Sequence, residues 1–240
     1  MSTFIDTADN YQYMFRPLSH MRREKFKRIV ARVGGGDVLD LGCGQAGHYW
    51  AMGYAHKADS LSFYDIVPEN IAEQQASIET LSPDFLAESF GETLGFLGAE
   101  GIIPQPVDPQ SIAENIVGKT VDVRVFNFIH DKADRQFDFV MAMESIEIAD
   151  TYAEFVSSLR TAKSLLKPGG LFLGVILPYD VLLPTTQEQI SIKREGILNP
   201  RVEETRQAFS DAGWNLEALE TYKTLQANYD EAICFYARHA

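Results

Sequence analysis

Asp37-Val38-Leu39-Asp40-Leu41-Gly42-Cys43-Gly44-Gln45-Ala46-Gly47 decides how the rest of the chain is read. Residues 37–41 are apolar enough for a buried strand. Gly42, Gly44 and Gly47 then spell G-x-G-x-x-G ahead of a predicted helix from His48 to about Ala55. Glycine permits the tight turn and lets a ligand lie against bare backbone. The spelling alone is weak, because glycines also close ordinary strand–helix turns. Two acids strengthen it. Asp40 precedes the first glycine. Asp65 ends the next apolar run, Ser60–Tyr64, at about the 20-residue spacing where a dinucleotide-type fold places its ribose ligand.

With those residues in view, Val-Leu-Asp-Leu-Gly-Cys-Gly resembles the first motif of class I S-adenosylmethionine (SAM) dependent methyltransferases. The nicotinamide alternative usually sets its first glycine nearer the strand, has no acid ahead of it, and must face a pyrophosphate. SAM carries no phosphate but has a sulfonium and an ammonium group, which suit an acid beside the turn. Further residues carry the resemblance. Phe137-Asp138-Phe139-Val140 is similar to the family's fourth strand, and Leu166-Lys167-Pro168-Gly169-Gly170 to its hallmark between helix and fifth strand. The resemblance implies a Rossmann-like α/β fold. Its sheet would be seven-stranded and mostly parallel, with one antiparallel strand and helices on both faces. It covers residues 1–240 as a single domain, with residues 1–33 as N-terminal lid and helix.

It also implies site residues. Asp40, Gly42, Cys43 and Gly44 would hold the amino-acid part of SAM, Asp65 the ribose, and Ile66 the face of the adenine. Asn127 would take the adenine amino group, Phe128 would cover the base, and Met143 would lie near the donor. Alternatives stand beside these readings. Asp65 also suits a cap for the helix that Pro68 opens, and Asn127 a turn.

In an open α/β sheet, ligands lie outside the carboxyl ends of the strands. That rule makes Glu144 and Glu147 candidate catalytic groups after the fourth strand, with Tyr179 after the fifth. Ser145 and Asp180 become substrate contacts. The two glutamates equally suit a helix start, where carboxylates are favoured. Tyr11, Tyr13 and Phe15 form an aromatic N-terminal stretch that reads either as a substrate-binding lid or as packing on the sheet.

The layout most resembles the small-molecule amine branch, which includes nicotinamide, phenylethanolamine and thioether methyltransferases. Its acid just past the fifth strand has no clear counterpart at Leu177-Pro178, so no single acceptor transfers. The expected activity is SAM-dependent methylation of a small nitrogenous molecule. The alternative is another use of SAM: aminocarboxypropyl transfer, or cyclisation releasing methylthioadenosine.

Composition narrows the partners. A net charge of −13 over 240 residues argues against nucleic acid. The one basic run, Arg22–Arg28, fits a solvated helix face. Two cysteines make no disulfide framework, the five histidines show no metal spacing, and no apolar run reaches the length of a membrane span. The expectation is a cytoplasmic protein without metal, a monomer or homodimer, acting on a small molecule. Residues 83–118 exceed what a plain crossover needs and read as an insertion.

Overall fold

The computed structural model describes residues 18–178, 200–226 and 229–239. Tyr11, Tyr13, Phe15, Tyr179 and Asp180 lie outside these. Seven strands run in the order β3-β2-β1-β4-β5-β7-β6. The described residues fall into two compact units, divided between Phe126 and Asn127.

In the first unit, α1 (His20–Arg28) is capped by the Ser19 hydroxyl, which accepts from Arg22 N. A 3-10 turn at Val30–Arg32 leads into β1 (Gly36–Leu41). A short α2 (Gly47–Ala51) follows the glycine turn, and β2 (Ala58–Asp65) follows that. The next three helices each begin with proline at their first position: α3 (Pro68–Glu79), α4 (Pro83–Ala99) and α5 (Pro109–Lys119). Proline lacks only an N–H that a first turn leaves unbonded anyway. Ser82 and Asp108 cap the latter two helices by accepting from Phe85 N and Gln110 N. Thus 83–119 is two capped helices leading to β3 (Thr120–Val125).

β1 pairs with β2, and β2 with β3, all parallel. Val38, Leu39, Leu41, Leu61, Phe63 and Tyr64 are all but fully buried. Strands covered on both faces read as continuous apolar runs, which is why these two were legible.

The second unit holds β4 (Phe137–Met143), α6 (Tyr152–Ser164), β5 (Leu166–Ile176), α7 (Val202–Asp211), β6 (Asn215–Gln226) and β7 (Tyr229–Arg238). α6 opens on a capping box between Thr151 and Glu154. β4 and β5 are parallel, while β7 runs antiparallel to both β5 and β6. Phe172, Phe209, Trp214 and Phe235 form its aromatic core, with Trp214 Nε1 donating to Leu159 O at 3.0 Å. Leu-Lys-Pro-Gly-Gly differs from its sequence reading. The helix has already ended at Ser164, and these five residues begin β5 as an irregular stretch between the pairs Phe137–Leu166 and Phe139–Leu171. No helix among the described residues is long and apolar enough to cross a membrane.

Candidate cofactor site

β1 and β2 end side by side, with Leu41 in register with Tyr64. The turn after β1 is fastened to the end of β2. Gly42 N and Cys43 N both donate to Tyr64 O, at 2.7 and 3.1 Å. Gly44 N then donates to Asp65 Oδ2 at 2.8 Å. Asp65 Oδ1 accepts from Val67 N at 2.8 Å and from Asn70 Nδ2 at 3.2 Å. Asp65 therefore ties the glycine turn to the start of α3, and the capping alternative is realised in this geometry. Burial raises its carboxyl pKa, and the bonds from Val67, Gly44 and Asn70 pull against that rise.

Asp40 is its opposite. It is completely buried, and neither carboxylate oxygen has a hydrogen-bond partner. Burial raises its pKa well above the usual carboxylate range, and the nearby charge of Asp65 adds to the rise. The effect spreads to its neighbours. Burial and the charge of Asp40 together push up the Cys43 thiol and the Tyr54 phenol.

The glycines divide the turn's labour. Gly44 sits at φ 58°, and a Cβ there would meet nothing within 4 Å. A Cβ on Gly47 would come within 2.6 Å of the Phe63 ring, so α2 can seat against β2 only if that residue is glycine. His48 is buried, its Nδ1 lies 3.3 Å from Gln74 Oε1, and burial lowers its pKa to about 4. Ile66, just past β2, stays 37 % exposed.

In the second unit, Asn127 Oδ1 accepts from Ile129 N at 2.9 Å, and Asn127 O accepts from His130 N and Asp131 N. The Asn127 side chain thus makes a turn of its own. Phe128 is buried. Met143 closes β4, and Glu144 N donates to Val175 O at 2.9 Å. Glu144 is at φ 63°, left-handed backbone that costs a non-glycine residue about 1–2 kcal/mol. Ser145 and Glu147 are buried, and Glu147 Oε1 accepts from Leu177 N at 3.2 Å, joining the β4 exit to the end of β5. A groove of about 590 Å³ opens at this same end of β5, lined by Pro178, Arg201, Glu203, Lys223 and Glu231 among others.

Sequence reasoning missed Asn70, Gln74 and Tyr54. Asn70 had a signal, a polar residue near the start of the helix that follows Asp65. Gln74 and Tyr54 are recognisable only once α2 and α3 are in place. The groove residues come from separate elements and carry no local signal. Among the described residues no group of His, Cys, Asp and Glu gathers as a metal site.

A bare buried carboxylate beside an open glycine turn fits a ligand that brings its own cation. The methyltransferase-domain family matches residues 18–237, and the chain belongs to that family. Its membership and fold make it a SAM-dependent methyltransferase. Among solved structures it is similar to the N-methyltransferase NodS of Bradyrhizobium japonicum WM9, solved with S-adenosylhomocysteine. There the identity is 12 % and the TM-score 0.58, covering 95 % of this chain and 97 % of that one. A chain of the complex between the Haloferax volcanii Trm112 methyltransferase activator and a methyltransferase is 17 % identical, with TM-score 0.56 over 91 % and 93 %. A SAM-dependent methyltransferase of Mesorhizobium loti is 14 % identical, with TM-score 0.56 over 90 % and 97 %. No curated protein matches the sequence.

Proposed function

We propose that this methyltransferase acts on a small nitrogen-bearing acceptor, with the donor held by the turn after β1. The observation that carries the reading is the unpaired, buried Asp40 carboxylate. Leaving such a group unpaired in the folded protein is costly, and an ammonium group relieves the cost on binding. Gly42, Cys43 and Gly44 then supply backbone against which the amino-acid part lies. Asp65, which already accepts from Gly44, Val67 and Asn70, is the proposed acceptor for the ribose hydroxyls, and Ile66 offers an apolar face to the adenine. Asn127, Phe128 and Met143 remain the proposed contacts for the rest of the donor.

SAM, when bound, supplies a methyl group on a sulfonium that leaves readily. The protein's task is placement, which contributes up to about 7–11 kcal/mol in the best cases. A general base is optional for a neutral amine. Glu144 and Glu147, with Ser145, are the proposed acceptor-side groups, and their carboxylates favour a nitrogen that gains positive charge. The strained backbone at Glu144 supports that role, since such strain clusters at working sites. Tyr11, Tyr13, Phe15, Tyr179 and Asp180 belong to the same proposal as wall and rim. The chain's net charge of −13 and the N-methyltransferase activity of the NodS relative agree with a small, nitrogenous acceptor.

The test is incubation of the enzyme with methyl-labelled SAM and a panel of small amines, alcohols and thiols, read by mass spectrometry. The expected result is label on an amine with stoichiometric S-adenosylhomocysteine. Label only on oxygen or sulfur acceptors, or methylthioadenosine as the product, overturns the reading.

A further inference from the structure

Among the described residues β3 is an edge of the sheet, hydrogen-bonded to β2 on one side only. Which of its backbone groups face outward follows from one bond. Phe126 N donates to Asp65 O at 2.8 Å, so Phe126 faces β2. Successive residues of a strand point their amides to alternate sides. The N–H groups of Arg124 and Asp122 therefore face β2 as well. The N–H and C=O of Val123 and Val125 face away from it. The ladder's irregularity, between Thr120 and Asp122, lies at the start of this stretch.

Two valines of that edge lie open to solvent. Val121 is 56 % and Val125 48 % exposed. Open edges are commonly blunted by charge, proline or a bulge; Thr-Val-Asp-Val-Arg-Val has no proline, its bulge lies at the start, and its two charges, Asp122 and Arg124, are paired with each other. The sequence is also self-complementary about Val123. An antiparallel copy related by a two-fold axis at that residue sets Val123 against Val123, Val121 against Val125, and Asp122 against Arg124. The outward N–H and C=O of Val123 are then those that such a pairing uses, each bonding to its own counterpart. Asp122 and Arg124 sit on the opposite face, held near each other in the monomer at 3.3 Å and both bonded to the Tyr64 hydroxyl. Beside the valine row, a groove of about 330 Å³ includes Gln75, Ile78 and Val117 in its lining, the last 43 % exposed.

We propose that the β3 edge is a dimer interface and that its occupant is a second copy of this chain, paired antiparallel about Val123. The charge complementarity of Asp122 with Arg124 and of valine with valine selects that partner over an unrelated strand. Isologous contacts of this kind close on themselves and do not propagate into fibres. The contact is small, which places it in the weak, concentration-dependent class.

Sedimentation of the full chain at physiological salt and tens of micromolar protein tests the proposal. The wild type is expected at twice the 26.9 kDa chain mass. Both altered positions are exposed, so the variants should fold. V121E/V125E puts like charges opposite each other and should be monomeric, as should V121K/V125K. Mixed in equal amounts, the two should recover the dimer, because glutamate then faces lysine. V123C should oxidise to a covalent dimer, since directly opposed Cα atoms in such a pair lie about 5.5 Å apart, within disulfide range. A monomeric wild type, a V121E/V125E protein that still dimerises, or a mixture that fails to recover overturns the proposal. In the first of these cases the edge is left to another strand or to water.

Discussion

Asp40, next to last in β1, and Asp65, last in β2, lie on adjacent parallel strands of one unit, and both are buried acids. Their situations are opposite. Asp65 accepts hydrogen bonds from Gly44, Val67 and Asn70, whereas Asp40 accepts none. One carboxylate is spent on building the turn, and the other is left without a hydrogen-bond partner. The difference teaches that two acids one strand apart can be told apart by what the protein leaves undone, and it is on this ground that Asp40 is proposed for the ligand and Asp65 is scaffold as well. The contrast predicts opposite signs on substitution.

The largest effect belongs to Asp40. D40N keeps the shape and removes the charge. SAM affinity should fall by about 2–5 kcal/mol, the range for truncating one partner of a buried charge pair. The ligand-free protein should become more stable at pH 7, because a buried unpaired carboxylate is gone. Titration calorimetry and thermal melts on the same preparation read both signs. Wild-type SAM affinity should also weaken as pH falls through the raised pKa of Asp40, and D40N should lose that dependence. Lower stability in D40N without ligand means that Asp40 has structural work like that of Asp65.

His48 sharpens the comparison as a third buried group beside the turn. Its pKa is 6.5 in the unfolded chain and about 4 when folded. Between those values the unfolded state binds more protons, so stability is complete above pH 6.5 and declines as pH falls towards 4. The loss is about 3 kcal/mol in all, with no further contribution below the folded value. Asp40 works in the opposite sense, since its raised pKa makes protonation favour the folded state. Denaturant titrations across that window should therefore show a shallower slope in H48N and a steeper one in D40N.

Much of this was legible from sequence for a specific reason. Asp40, Asp65 and the glycines are consecutive or one strand apart, and buried parallel strands advertise themselves as apolar runs. What was not legible is which acid is occupied. That depends on Gly44, 21 residues before Asp65, and on Asn70 arriving from α3. Glu147 is similar, since its bond to Leu177 N spans 30 residues and is set by the pairing of β4 with β5. The proline-glycine stretch after α6 was misplaced for the converse reason. Its local chemistry says helix end, while the β4 register recruits it into a strand.

D65A probes the occupied acid. It strips a shared acceptor from two backbone amides and from Asn70, so the ligand-free protein should lose stability, the reverse of D40N. SAM affinity should fall by about 1–3 kcal/mol, the scale for bonds to a charged group. The decisive reading is the ratio. A loss of stability with affinity unchanged would make Asp65 scaffold alone and remove it from the ribose site.

The smallest effect on stability comes from Gly44, and it separates conformation from ligand space. In G44A the new methyl meets nothing within 4 Å, so no side chain must move. The cost is the left-handed backbone at φ 58°, about 1–2 kcal/mol, partly offset by the lower entropy of an unfolded chain with alanine. The net loss should be about 1 kcal/mol. G47A should cost more, because its methyl would press on the Phe63 ring at 2.6 Å and on Cys43 Cβ at 2.9 Å. The order reverses for ligand. If the open space at Gly44 is where the donor lies against bare backbone, G44A weakens SAM binding well beyond its effect on stability. If affinity moves no more than stability does, that space belongs to solvent. The ammonium would then have to reach Asp40 by another path.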